Sequence, residues 1–151
     1  MNKKIIIGIV IVIVVLGFFF FGKGITGNVI GTARAKMIDD GDSVKFNLDG
    51  ISRTAEFYDY QGIDFFVVES SGGSVKTAFN ACDVCYGSQK GYRQEGNDMI
   101  CNNCGNHYAI AGLGTKNLKG GGCWPGYLPS TIEGDYLVIK KTDLEAGRYR
   151  F

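Results

Sequence analysis

The chain has 151 residues, with 16 basic against 15 acidic side chains and a formal net charge of +1. That length holds one domain with a short additional segment, and so balanced a charge excludes the basic face on which nucleic-acid binding depends. Glycine is abundant at 23 residues, proline scarce at 2, and the chemistry-bearing rarities are five cysteines and a single histidine, His107.

Residues Ile5 to Phe21 read IIIGIVIVIVVLGFFFF, a run without a charged or polar side chain. As a helix this run covers roughly 25 Å, enough for a thin hydrocarbon core. It has no polar face, unlike an amphipathic core helix, and GFFFFGKG offers no small-x-small cleavage site of the kind that ends a signal peptide. A retained N-terminal membrane anchor is therefore expected over residues 1–22. Lys3 and Lys4 precede the run and only Lys23 follows it closely. The positive-inside bias then predicts a single-pass protein of the cell membrane, its N-terminus cytoplasmic and the rest extracytoplasmic. Residues 23–42, rich in glycine and polar side chains, read as a linker with some helix near Thr32 to Ile38.

From residue 43 to 151 the pattern is that of a small, mostly β domain with a minor α component. SVKFNL alternates Val44, Phe46 and Leu48 on one face. TAEFYDY and IDFFVVES flank Gln61-Gly62 as a hairpin, and their aromatics Phe57, Tyr58, Tyr60, Phe65 and Phe66 read as core and cross-strand pairs. SSGGS turns the chain into VKTAFNA, a strand that ends at Cys82. Near the end, DYLVIKK is a strand over Asp135 to Lys141. TDLEAG matches a capping box, with Thr142 as N-cap and Glu145 three residues on.

Between these strands lies CDVCYGSQKGYRQEGNDMICNNCG. Its spacing, C-x2-C-x15-C-x2-C over Cys82, Cys85, Cys101 and Cys104, is that of zinc ribbons and related four-thiolate sites. In a Cys-x-x-Cys turn two thiolates face one ion while backbone N–H groups point at the sulfurs. Gly105 suits the positive φ that such a turn needs, and Gly87 serves the first pair less well. EGND is a turn signal, so GYRQE and DMIC form a hairpin that unites the pairs into a zinc-ribbon-like insertion. Covalent haem is excluded, because Tyr86 and Gly105 stand where Cys-x-x-Cys-His needs histidine. A Rieske centre needs two histidines. Structural zinc, a single rubredoxin-type iron and an iron–sulfur cluster remain, beside disulfide pairing in an oxidising compartment. Spacing alone does not choose the metal. Cys123, in GGGCWP, is a fifth sulfur and a further ligand candidate. His107, three residues after Cys104, is a metal-ligand candidate too, with a surface or packing role as the plainer reading. Arg93 is placed to offset thiolate charge. No nucleophile–base pair or paired carboxylates are visible, which argues against hydrolytic catalysis.

The ordered motifs AFNACDVCYGSQKGYRQEGNDMICNNCGNHYAI and GGGCWPGYLP resemble the FtrD-like membrane iron–sulfur protein domain. The matching features are Cys82 and Cys85, Gly91 to Gly96, Cys101 and Cys104, Gly121 to Pro125, and Leu128-Pro129. The resemblance implies a membrane-associated iron–sulfur protein linked in some members to iron transport and electron transfer, with a membrane permease or redox protein as partner. On this basis the expected function is a non-enzymatic, membrane-anchored metal or iron–sulfur protein that transfers electrons. Cys82, Cys85, Cys101 and Cys104 hold an iron–sulfur cluster or mononuclear iron, with zinc as the alternative cofactor. The alternative functions are a structural zinc-ribbon interaction module and a disulfide-bonded thiol redox protein.

Overall fold

The computed structural model describes residues 34–117 and 122–151. The expected anchor over residues 1–22 and the first part of the linker lie outside the described residues. Among the described residues, no helix is long and apolar enough to cross a membrane.

The described chain is mostly β. In order it forms β1 (Ile38–Asp40), β2 (Ser43–Asn47), β3 (Glu56–Tyr60), β4 (Ile63–Glu69), β5 (Val75–Cys82) and β6 (Tyr92–Glu95). There follow β7 (Asp98–Cys101), β8 (His107–Ala109), β9 (Pro125–Tyr127), β10 (Thr131–Glu133), β11 (Tyr136–Lys140) and one short helix, α1 (Lys141–Ala146). The strands make three sheets, ordered β1-β2-β11-β10, β3-β4-β5-β9 and β6-β7-β8. All pairings are antiparallel.

The β3-β4-β5-β9 sheet is the middle layer, and side-chain parity divides its residues between two cores. Successive strand residues point to opposite faces. From β4, Ile63, Phe65 and Val67 join Val44, Phe46, Leu137 and Ile139 of the first sheet in one apolar cluster. Phe66 and Val68 point the other way, into a second cluster with Met99 of β7, Ile110 and Leu113. An antiparallel strand with one wet face alternates polar and apolar residues, whereas burial on both faces makes FFVV continuous. On β5 the same parity sends Phe79 to the first core, and Ala78 and Cys82 to the second. The expected hairpin forms at Gln61 and Gly62, both with positive φ, 52° and 83°. Such angles match a two-residue hairpin loop to the twist of its strands.

Three local expectations need correction. Ile38–Asp40, inside the segment read as linker and as part of a helical stretch, is instead a strand paired to β2. Ala35 before it is buried in the first core, but the strand itself is exposed, so it is held by its backbone pairing with β2 and not by burial of its own side chains. The capping box does not form. The helix already starts at Lys141, with Lys140 as an N-cap that makes no side-chain bond, and Glu145 is taken by Arg148 at 2.6 Å. After Cys85, the left-handed positions are Gln89 and Gly91, not Gly87. A 3₁₀ turn over Tyr86–Ser88 carries the chain between them.

The close seat of α1 on the middle sheet yields a stability prediction. A Cβ at Gly147 would overlap the Phe79 ring, whereas one at Gly72 has as its nearest atom the Ser70 Oγ at 3.9 Å. Gly147→Ala is expected to destabilise the domain by about 1–3 kcal/mol through overpacking. Gly72→Ala should be near neutral. Parallel urea unfolding of both variants checks the contrast.

Candidate metal centre

Four features of the chain bring the five sulfurs together. Parity on β5 aims Cys82 at the second core. The β6–β7 hairpin pairs Tyr92 with Cys101, and Met99 and Cys101 share the face that packs into the same core. Gly91 lets β6 approach β5: its Cβ would lie 2.6 Å from the Asn80 amide, and the oxygen of that amide accepts the Tyr92 N–H at 2.8 Å. Finally β9 pairs with β5, Pro125 opposite Cys82, which sets Cys123 beside the first Cys-x-x-Cys turn.

The resulting sulfur geometry is tight. Cys85 Sγ lies 2.9 Å from Cys82 Sγ, 3.0 Å from Cys123 Sγ and 3.9 Å from Cys101 Sγ. All five cysteines are free thiols, with Cys82, Cys101 and Cys123 buried, Cys85 half-buried and Cys104 exposed. They fall into two groups of three, Cys82–Cys85–Cys123 and Cys101–Cys104–Cys123, and within each group the sulfurs lie within 4.8 Å of one another. Cys123 belongs to both. The expected site had four principal ligands with Cys123 as an accessory. Cys123 lies in both groups, because β9 pairs alongside β5 at the edge of the middle sheet.

Backbone donors face the sulfurs as the Cys-x-x-Cys geometry predicts. The Cys85 N–H donates to Cys82 Sγ at 2.7 Å. Gly105, with φ 74°, closes the second turn by donating its N–H to the Cys101 carbonyl at 2.8 Å. Burial pushes the Cys101 thiol up, but the N–H groups of Cys104 and Asn103 outweigh it and hold the thiol below its ordinary range. Burial, with the Cys82 sulfur alongside, pushes Cys85 up to about 11. Cys123 is pushed up further, first by its hydrogen bond with Cys85 and then by burial. The protonated form is thus favoured at Cys85 by burial, and at Cys123 by its hydrogen bond with Cys85 and by burial, whereas backbone N–H groups favour the thiolate at Cys101. A metal ion bound here would displace the protons its ligands hold.

The remaining sequence candidates stand elsewhere. His107 belongs to neither three-cysteine group. It sits on β8 opposite Ile100, with Nδ1 3.4 Å from the Asp98 carboxylate. Arg93 is engaged by Glu95 at 2.7 Å and by the Asn102 side chain at 3.0 Å, so it braces the second turn rather than the sulfurs. Tyr92 is a site residue that motif spacing did not single out. It is buried, and its hydroxyl donates to the Cys123 carbonyl at 2.5 Å, tying β6 to the loop that carries the shared sulfur. Burial, and then the nearby Cys82 and Cys101 sulfurs, hold its phenol well above the usual range. The only hint in the sequence is its place within GYRQEG.

An all-sulfur donor set suits soft or borderline metals. Thiolates select iron–sulfur centres, zinc and Cu(I) over the hard cations that prefer oxygen. Five sulfurs exceed the four of a closed tetrahedral ion, so the set fits a polynuclear centre. Tyr92→Phe removes the clamp on Cys123 and leaves a buried carbonyl without its partner. It is expected to cost about 1–3 kcal/mol and to speed metal loss to a chelator, measured by urea unfolding and by release kinetics.

No curated protein matches the chain. Residues 49–151 match the family model described as "Membrane iron-sulfur containing protein FtrD-like". That span holds all five cysteines and the middle sheet that both cores share. The chain therefore belongs to the FtrD-like family of membrane iron–sulfur containing proteins.

Proposed function

We propose that this protein is a membrane-anchored electron-transfer protein whose five cysteines hold an iron-based centre. The observation that carries the reading is the presence of Cys123 in both three-cysteine groups. One sulfur common to two sets of ligands is the arrangement of a centre with more than one metal ion, and the family description supplies iron and sulfur. Cys82, Cys85, Cys101, Cys104 and Cys123 would hold it. When bound, the centre supplies a one-electron couple whose potential is set by its charge, its solvent exposure and hydrogen bonds to its sulfurs. The protein tunes that couple in three ways. The N–H of Cys85 acts on the Cys82 sulfur, the N–H groups of Asn103 and Cys104 act on Cys101, and three of the five thiols are buried.

The membrane part of the reading rests on Ile5 to Phe21 and on the family's description as a membrane protein. The anchor keeps the domain close to the bilayer, on the extracytoplasmic side by the lysine bias. There the electron partner is a membrane redox protein, or a permease for which the centre changes the oxidation state of transported iron. No paired carboxylates or nucleophile–base pair contribute to this reading, which is one of electron transfer and not of substrate turnover.

The test uses the full chain in detergent, purified without oxygen. Iron, acid-labile sulfide and a visible sulfur-to-iron band that bleaches with dithionite are expected together. A colourless protein holding only zinc would replace this reading with a structural thiolate site. Cys123→Ser removes a ligand from both ends and is expected to lower metal content more than Cys104→Ser, which touches one end. Because Cys85 and Cys123 hold their protons above the ordinary thiol range, metal binding must release protons. Affinity is therefore expected to fall as pH is lowered, and a chelator competition series across about pH 6–9 reads the slope.

A further inference from the structure

The two Cys-x-x-Cys turns are tied to the fold in different ways. The second is braced by its near neighbours. The Asn102 N–H donates to the Gly91 carbonyl at 3.0 Å, its side-chain amide donates to the Lys90 carbonyl at 2.9 Å, and Arg93 Nη1 donates to its side-chain oxygen at 3.0 Å. The first turn has internal bonds, from the Cys85 N–H to Cys82 Sγ and from the Ser88 N–H to the Cys85 carbonyl. Burial contributes little to it. Apart from Cys85, residues 83–90 are all exposed, and Val84, between the two cysteines, is 59% exposed.

A distant segment ties this turn down. In the 3₁₀ turn Arg148–Arg150, Arg150 donates to Asp83 Oδ1 from Nε at 3.3 Å and from Nη2 at 2.6 Å. Two N–H groups on one carboxylate fix direction as well as distance. Tyr149 packs edge-on to Tyr86, with 5.9 Å between ring centroids. Asp83 follows Cys82 as Asn102 follows Cys101, so an arginine bonds the same position of each turn.

Arg150 is itself firmly held. Its side chain is 10% exposed, and its guanidinium stacks 5.1 Å from the Phe79 ring and 4.3 Å from the Tyr149 ring. A Cβ on Gly126 would lie 2.8 Å from its Nε. Phe79 is on β5, which ends at Cys82, and Gly126 is on β9, just after Cys123. Asp83 stands in the turn that leads to Cys85. One side chain thus touches the three segments that carry Cys82, Cys85 and Cys123, the first three-cysteine group.

We infer that Arg150 is a positioning residue of the metal centre: through Asp83 it sets the first Cys-x-x-Cys turn so that Cys85 stands beside Cys82 and Cys123. Its role toward a metal rests on the thiolate-metal reading above, whereas the placement of Cys85 is a property of the chain itself. A cavity of about 290 Å³, lined by Cys82, Cys85, Cys101 and Arg150 among others, adjoins the turn. It admits a small thiol reagent, so release of the turn is readable at Cys85.

Two variants break the contact from opposite ends with opposite changes of charge, Asp83→Ala and Arg150→Gln. The full chain in detergent, stripped of metal and with its thiols reduced, is given a timed pulse of iodoacetamide, and peptide mass mapping reads each cysteine. Both variants are expected to speed alkylation of Cys85 several-fold and to leave Cys101 and Cys123 at the rate of the unaltered chain. The double variant should match the faster single variant, because both remove one contact. Gly126→Ala, which displaces the guanidinium without altering a charge, should act in the same sense. In the chain as purified with its metal, each variant is expected to speed metal loss to EDTA several-fold and keep the initial stoichiometry. Unchanged Cys85 labelling overturns the inference. Opposite shifts in Asp83→Ala and Arg150→Gln overturn it too, by assigning the effect to charge, and so does an equal rise at Cys85, Cys101 and Cys123, which is loosening of the whole domain. Faster labelling without faster metal loss overturns the role at the centre. A chain that purifies without metal contradicts the proposed function instead, and Cys85 labelling still decides whether Arg150 sets the turn.

Discussion

The structure depends on a middle sheet that is buried on both sides. A strand delivers alternate residues to opposite faces, and where both faces are dry a shift of one residue exchanges two complete cores. In β4, Phe65 and Phe66 are adjacent, yet each is fully buried in a different cluster. Register along β4 and β5 is therefore held from two directions. That is what lets β5 end at a defined side-chain orientation for Cys82, the first cysteine of the cluster. A sheet packed on one face only would set that orientation less firmly.

The second core is unusual in what fills it. Phe66, Val68, Ala78, Met99, Ile110 and Leu113 surround Cys82, Cys101 and Cys123, so three thiols take positions that apolar side chains would otherwise occupy. A protonated thiol packs there as a small hydrophobe. A thiolate does not, because burial disfavours the charge. The same residues thus form an ordinary apolar core when protonated and a donor set when a cation is present. Tyr92 joins the two roles: its ring packs 6.4 Å from Phe66 and 6.3 Å from Tyr108, and its hydroxyl holds the Cys123 backbone. Stability of this core and integrity of the centre are coupled through that one side chain.

What was legible in the sequence follows the range of the interactions involved. The hairpins at Gln61-Gly62 and at Gly96-Asn97, and the second Cys-x-x-Cys turn closed by Gly105, are specified by residues a few positions apart, and they form as read. The approach of the two turns was legible because the hairpin between them is also local: Cys85 Sγ lies 3.9 Å from Cys101 Sγ, with the two pairs in separate three-cysteine groups. The standing of Cys123 was not. It depends on β9 lying against β5, with Pro125 facing Cys82, a contact between segments far apart in the chain with a bulge between Ala78 and Cys82. Nothing in GGGCWP encodes that partner. His107 is close to Cys104 in sequence, but β8 pairing sets it opposite Ile100, exposed and next to Asp98, which agrees with the surface role that was its plainer reading. The capping box fails because β11 runs directly into α1, leaving Thr142 already inside the helix.

The two ends of the sulfur cluster differ in surroundings although they share Cys123. Cys82 and Cys85, with Cys101, line the polar cavity that Arg150 and Lys90 also line. Cys104 is exposed on the other side, in a turn braced by Arg93 and Asn102. Solvent exposure and hydrogen bonding both shift the potential of a thiolate centre, and here they differ between the two three-cysteine groups. The sulfur cluster thus has a sheltered side and an exposed side, and Cys123, common to both three-cysteine groups, is the residue that joins them.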